Sequence, residues 1–148
     1  LRMLPLLSTL QRLFNLDINH ANSSGVTALH IAVGRGDPVL VDSLICVLGA
    51  NPNVQDKIAG WTPLHDACNE DDPAIVRYVQ GSQTYISIPF FLCSTLMKRG
   101  ADINCEDFVG ARPDDLAHLC GHAEAKELIC MQRRARVMLL TEKTTEVG

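Results

Sequence analysis

The sequence has none of the motifs that most often mark catalysis. There is no glycine-rich phosphate loop, no G-x-S-x-G elbow and no paired constellation of catalytic carboxylates. An enzyme is therefore not expected, and neither is a cofactor. Basic surplus is also missing: 13 Lys and Arg stand against 17 Asp and Glu, a net charge of −4, which gives no reason to expect nucleic acid as a ligand. No apolar run is pure enough for a membrane span. The stretch between Arg77 and Lys98 carries no charge, but Gln80, Gln83, Ser87 and Pro89 dilute it. The six cysteines, Cys46, Cys68, Cys93, Cys105, Cys120 and Cys130, form no C-x-x-C pair. With no recognisable signal peptide, they are expected as reduced thiols in an intracellular protein, cytoplasmic or nuclear.

What is present is repetition. A chain of 148 residues with 47% hydrophobic content has enough apolar material for the core of one domain. Thr62-Pro63-Leu64-His65-Asp66-Ala67 nearly copies Thr27-Ala28-Leu29-His30-Ile31-Ala32, 35 positions earlier. Each copy reads as a helix start: a Thr that caps, a first-turn residue, a core Leu, and a His whose imidazole reaches back to the cap. Gly25 and Gly60 each precede the Thr by two and supply the entering turn, and Pro63 occupies a first-turn position where its missing N–H costs nothing. After the first copy, Gly36 breaks the chain, and Leu40, Val41, Leu44, Ile45 and Leu48 mark a second helix ending near Gly49.

These blocks resemble the T-P-L-H-x-A signature of ankyrin repeats, and Asp17-Ile18-Asn19 and Asp102-Ile103-Asn104 resemble the turns that end such repeats. The resemblance implies an all-α solenoid of stacked helix-turn-helix units with short β-hairpin-like loops. It divides the chain into a partial repeat (1–21), a repeat (22–54), a repeat carrying an insert at 80–95 (55–104), a C-terminal repeat (105–131), and a helical extension with a fraying tail (132–148). Because the chain opens inside the periodic pattern, it is expected to be a fragment. The C-terminal repeat departs from the pattern, with Arg112 in place of the capping Thr and Asp114 where Leu29 and Leu64 stand. Polar intrusion of this kind suits an end cap.

The insert shows as a spacing. Thr27 to Gly49 is 22 residues and Thr62 to Gly100 is 38. It reads either as an apolar loop (Tyr85, Ile86, Ile88, Phe90, Phe91) that grips a partner, or as a short intron read through in frame from about Gly81 to Ser94. In the second reading, excision restores one helix from Ala74 to Arg99.

The remaining chemistry divides between structural and functional readings. His30 and His65 recur at equivalent places and read as capping residues rather than bases. His118, Cys120, His122 and Cys130 have metal-ligand chemistry, but Gly121-His122 matches the ordinary turn of the repeat and no metal is expected. Arg133, Arg134 and Arg136, followed by Val137 to Leu140, read as an import or docking patch or as the closing turns of the last helix, and the second is preferred.

The resemblance further implies a protein-interaction module that binds through hairpin tips and the exposed side of the first helices. Carried onto this chain, those positions are Ile31, Arg35, Ile58, Trp61, Asp66, Asn69, Glu70, Asp107 and Phe108. Trp61 is the single Trp and reads equally as an interface anchor or as a cover for its neighbours. The acids on that face favour a basic segment of another protein. Asn104, preceded by Asp102 and Ile103 with Leu96 eight positions upstream, resembles the target of an oxygen-dependent asparaginyl hydroxylase. The competing function is a targeting region of a larger enzyme or channel whose catalytic part lies outside these residues.

Overall fold

The computed structural model describes residues 4–69 and 88–145. The described residues form seven helices and no strand: α1 (Leu4–Phe14), α2 (Ala28–Gly34), α3 (Pro38–Cys46), α4 (Pro63–Asn69), α5 (Ile88–Lys98), α6 (Pro113–Leu119) and α7 (Ala123–Thr145). Six of them, α2 to α7, stack as three antiparallel pairs, α2 with α3, α4 with α5, and α6 with α7. The short helices α2, α4 and α6 form an inner row, and α3, α5 and α7 an outer one.

Small residues on the inner helices allow this close stacking. Ala32, Ala67 and Ala117 are all but fully buried, at equivalent places in successive layers. Leu29, Val33, Leu64 and Cys68 beside them fill the space toward the outer row, where Val41, Leu44, Leu92, Leu96 and Ile129 meet them. No single pair can bury its own apolar stripe, so each layer completes its neighbour's core. Asp37 starts α3 by accepting the Leu40 N–H at 3.1 Å, with Pro38 at the first turn.

Turn residues set the spacing between layers. Gly25 and Gly60 have φ of +78° and +75°, a left-handed conformation that glycine adopts without penalty. Both also lie under a neighbouring loop. A Cβ on Gly25 would stand 2.7 Å from the Lys57 backbone nitrogen, and one on Gly60 would stand 2.5 Å from the Phe108 ring. The loops pair through backbone bonds, Lys57 N–H to Ser24 O and Phe108 N–H to Ala59 O, each 2.9 Å.

In two places the structure differs from expectation. Ile88 to Thr95, assigned to the insert, belong to α5, in which Leu92 and Cys93 are fully buried. The physical reason is a duplicated pattern: Pro89-Phe-Phe-Leu92 offers the outer row the same proline-then-apolar start as Pro38-Val-Leu-Val41. Ile75, Val76 and Val79, the expected second-helix stripe, lie outside the described residues. The other difference is at the C-terminus, where α7 runs to Thr145 instead of fraying from Thr141. Along its last turns, the Thr141, Thr144 and Thr145 hydroxyls donate back to carbonyls within the helix.

A test of the duplication follows directly. Joining Val79 to Leu96 makes Asp72-Pro-Ala-Ile-Val-Arg-Tyr-Val-Leu-Met-Lys-Arg-Gly100 equal in length to Asp37-Pro-Val-Leu-Val-Asp-Ser-Leu-Ile-Cys-Val-Leu-Gly49, with apolar residues in register. A chain lacking residues 80–95 is expected to unfold cooperatively within about 1.5 kcal/mol of the parent, the usual range for apolar swaps that conserve volume. Circular dichroism against temperature checks this. A non-cooperative transition would show that only the α5 sequence fits the outer row.

Candidate functional site

The helix starts that organise the stack also shape its exposed inner side. In α2, the Thr27 N–H donates to His30 Nδ1 at 3.2 Å and the Thr27 hydroxyl lies 2.8 Å from the same nitrogen. The other ring nitrogen, Nε2, lies 3.2 Å from Trp61 O in the next layer. Thr62 and His65 repeat the arrangement, at 3.2 and 2.9 Å, with His65 Nε2 3.2 Å from Ala111 O. A neutral imidazole protonated at Nε2 satisfies every one of these contacts. The third layer makes the same backbone bond with a carboxylate, Arg112 N–H to Asp115 Oδ2 at 2.9 Å. Sequence comparison saw Arg112 as a loss of the cap, but Asp115 takes over the role of the histidine.

Both imidazoles are therefore structural, and burial lowers their pKa below the ordinary 6.5 despite the carbonyls that would raise it. The unfolded chain then binds protons that the folded chain refuses. Stability is full above pH 6.5 and is lost as pH falls from there toward the depressed folded values. The melting temperature is expected to decline from pH 7 to 5, with up to about 1.4 kcal/mol lost per pH unit per histidine. Thermal scans across that range check it, and His65→Gln should flatten the slope.

Beyond the imidazoles a groove opens between the inner helices and the loops. Val26, His30, Ile31, Gly34, Asp56, Asp66 and Asn69 line a space of about 320 Å³. Ile31 is 51% exposed there, and Asp66 and Asn69 are half-buried. Asp56 Oδ1 accepts the N–H groups of Ile58, Ala59 and Gly60 at 2.8–3.0 Å. Burial alone would raise its pKa, but these donors outweigh that and hold it below 3.8, so the carboxylate is ionised at neutral pH.

The structure thus brings Ile31, Asp66 and Asn69 together in one groove. Arg35 is exposed at the end of α2, and Ile58 and Phe108 sit on the loop tips, 72% and 64% exposed. Glu70 lies outside the described residues. Trp61 and Asp107 are engaged with each other: the indole N–H donates to Asp107 Oδ2 at 3.1 Å, and Asp107 Oδ1 accepts the Val109 and Ala111 N–H groups at 3.0 and 2.8 Å. This Trp braces adjacent loops. Asn104 is exposed, and its Oδ1 accepts from Arg133 Nε at 3.0 Å.

The sequence places Arg133 in the closing turns of the last helix but does not reveal its partner. Its guanidinium forks onto Asp114 with bonds of 2.8 and 2.7 Å, and reaches the Ile103 carbonyl at 3.3 Å. That bidentate bond is the main cause holding the Asp114 pKa below its ordinary value. Among the described residues, no group of three or more His, Cys, Asp or Glu side chains is placed to hold a metal ion.

A family model for ankyrin repeats, in three copies, matches residues 4–88. The chain belongs to the ankyrin-repeat family. An ankyrin repeat domain from Acinetobacter baumannii AYE, known from a crystal structure, superposes with a TM-score of 0.64 at 28% identity, covering 78% of this chain and 52% of that one. Human protein phosphatase 1 regulatory subunit 27 is 37% identical over 93 residues, 63% of this chain and 48% of that protein. Mouse RelA-associated inhibitor is 46% identical over 59 residues, 40% of this chain and 7% of that protein. The matched part is thus about half of the regulatory subunit's length and a small part of the inhibitor's. In this ankyrin-repeat chain the third described layer, α6 with α7, continues the stack beyond the residues the family model matches.

Proposed function

We propose that this ankyrin-repeat chain is a non-catalytic interaction module, a regulatory subunit or adaptor, that holds a basic, partly apolar segment of another protein in the groove between its inner helices and loops. The observation that carries the reading is the groove itself, with exposed Ile31 beside two carboxylates, Asp56 and Asp66. An apolar contact at the centre with acidic side chains around it matches the anatomy of a specific interface. The similarity to a phosphatase regulatory subunit and to an inhibitor, both named for acting on other proteins, supports the same reading.

Binding of the purified chain to arrays of basic and acidic peptides tests it. Basic peptides with apolar residues are expected to be retained, and Ile31→Arg and Asp66→Lys are each expected to weaken them about tenfold or more, an effect of at least 1.4 kcal/mol. Retention that neither substitution alters, or retention of acidic peptides alone, would refute the groove as the site.

A further inference from the structure

The thiols of Cys68 and Cys93 are the feature that neither the stacking nor the groove explains. Cys68 lies on inner helix α4 and Cys93 on outer helix α5, both fully buried, with their sulfurs 3.5 Å apart. Other cysteines turn toward oxygen instead: Cys46 to Asp42 Oδ1, Cys105 to the Glu106 carbonyl and Cys120 to Asn69 Oδ1. Packing alone does not call for a thiol at Cys68, since Val33 fills the equivalent place one layer earlier.

We propose that Cys68 and Cys93 form an oxidisable dithiol, which a peroxide converts into a disulfide tying α4 to α5. In the first step, one thiol gives up its proton and the thiolate attacks a peroxide oxygen. The O–O bond breaks, leaving a sulfenic acid, and with hydrogen peroxide the departing hydroxide takes up that proton as one water. In the second step, the other sulfur attacks the sulfenic sulfur and the S–O bond breaks. The departing hydroxide takes the second thiol's proton and leaves as water. The two sulfurs lose two electrons in total, and the peroxide gains them. Closing the bond moves the sulfurs from 3.5 Å to about 2.05 Å, a shift within reach of side-chain rotation and a small approach of two helices already packed together.

Burial sets the rate. The hydrogen bond to Cys93, followed by desolvation, pushes the Cys68 thiol well above its ordinary pKa. Because both sulfurs are fully buried, the pair reacts more slowly than exposed Cys46 and Cys120. Once made, the bond closes a loop between residues 25 apart in sequence, which restricts the unfolded chain and stabilises the central layer.

The folded chain is treated with hydrogen peroxide, remaining thiols are alkylated, and peptides are mapped by mass spectrometry without reduction. The expected product is a Cys68–Cys93 linked peptide, two hydrogens lighter than the sum of its parts. It should be accompanied by a rise in melting temperature of about 5–10 °C that dithiothreitol reverses. Cys68→Val, which keeps the core filled, should remove both effects. Recovery of Cys68 and Cys93 as free thiols when peroxide treatment is extended well past the consumption of Cys46 and Cys120, to the point where no further thiol is lost, would overturn the proposal. So would linkage of either to a different cysteine, or a linked pair with no thermal shift.

Discussion

Replacing Arg133 by alanine is expected to destabilise the chain by about 2–3 kcal/mol, because it strands a buried carboxylate. Asp114 is 9% exposed and takes both arms of the guanidinium, and it occupies the position at which the two preceding layers place Leu29 and Leu64. Without Arg133 the carboxylate must either protonate or draw water into the end of the core, and Asn104 and the Ile103 carbonyl lose a donor as well. The effect should appear in urea titrations as a lower midpoint with an unchanged slope. Asp114→Leu with Arg133→Met is expected to recover most of the loss, since an apolar pair at that place repeats what the other layers do. If the double variant is as unstable as Arg133→Ala, the stability at this end comes from contacts other than the ion pair.

A larger effect is expected for Leu64→Ala, about 3–4 kcal/mol. Leu64 is fully buried in the central layer, and α4 packs against α2 on one side and α6 on the other. A cavity there cannot be closed by one neighbour without opening a gap against the other, so little relaxation is available. Leu29→Ala should cost less, because α2 has an inner-row neighbour among the described helices only on the α4 side. Parallel chemical denaturation of the two variants checks the ranking. Equal losses would mean that the layers relax independently.

The features legible in the sequence are those made by residues close together along it. Thr27 and His30, or Thr62 and His65, are three apart, so one turn of helix brings them together whatever the rest of the chain does, and the repeat of the pair announces the stack. Ile31 and Asp66 of the groove were legible in another way, through the family resemblance, which carries the outward side of the first helices onto those positions. What was hidden depends on distant partners or on equivalent candidates. Trp61 and Asp107 are 46 positions apart, and nothing local shows that the indole is tied to a neighbouring loop. Arg133 meets Asp114 across 19 residues, which turns the apparent departure at Asp114 into a closure. The start of α5 was misread because Asp72-Pro-Ala-Ile-Val and Ile88-Pro-Phe-Phe-Leu satisfy the same local rule. It is packing against α3 and α7 that places the second of these in the outer row.

The side-chain amides at the ends of successive layers have a further consequence. Asn19 Oδ1 accepts the Asn51 N–H, and Asn53 Oδ1 accepts the Asp102 N–H, each at 2.7 Å, so every layer offers an acceptor that the next one uses. At the third described layer that acceptor, on Asn104, is taken up by Arg133 of α7. Anything that tried to extend the array past α7 would first have to evict a guanidinium anchored at four oxygen atoms. Docking another helical pair on this face would therefore cost the Arg133 contacts to Asn104, Asp114 and Ile103 before any new ones formed.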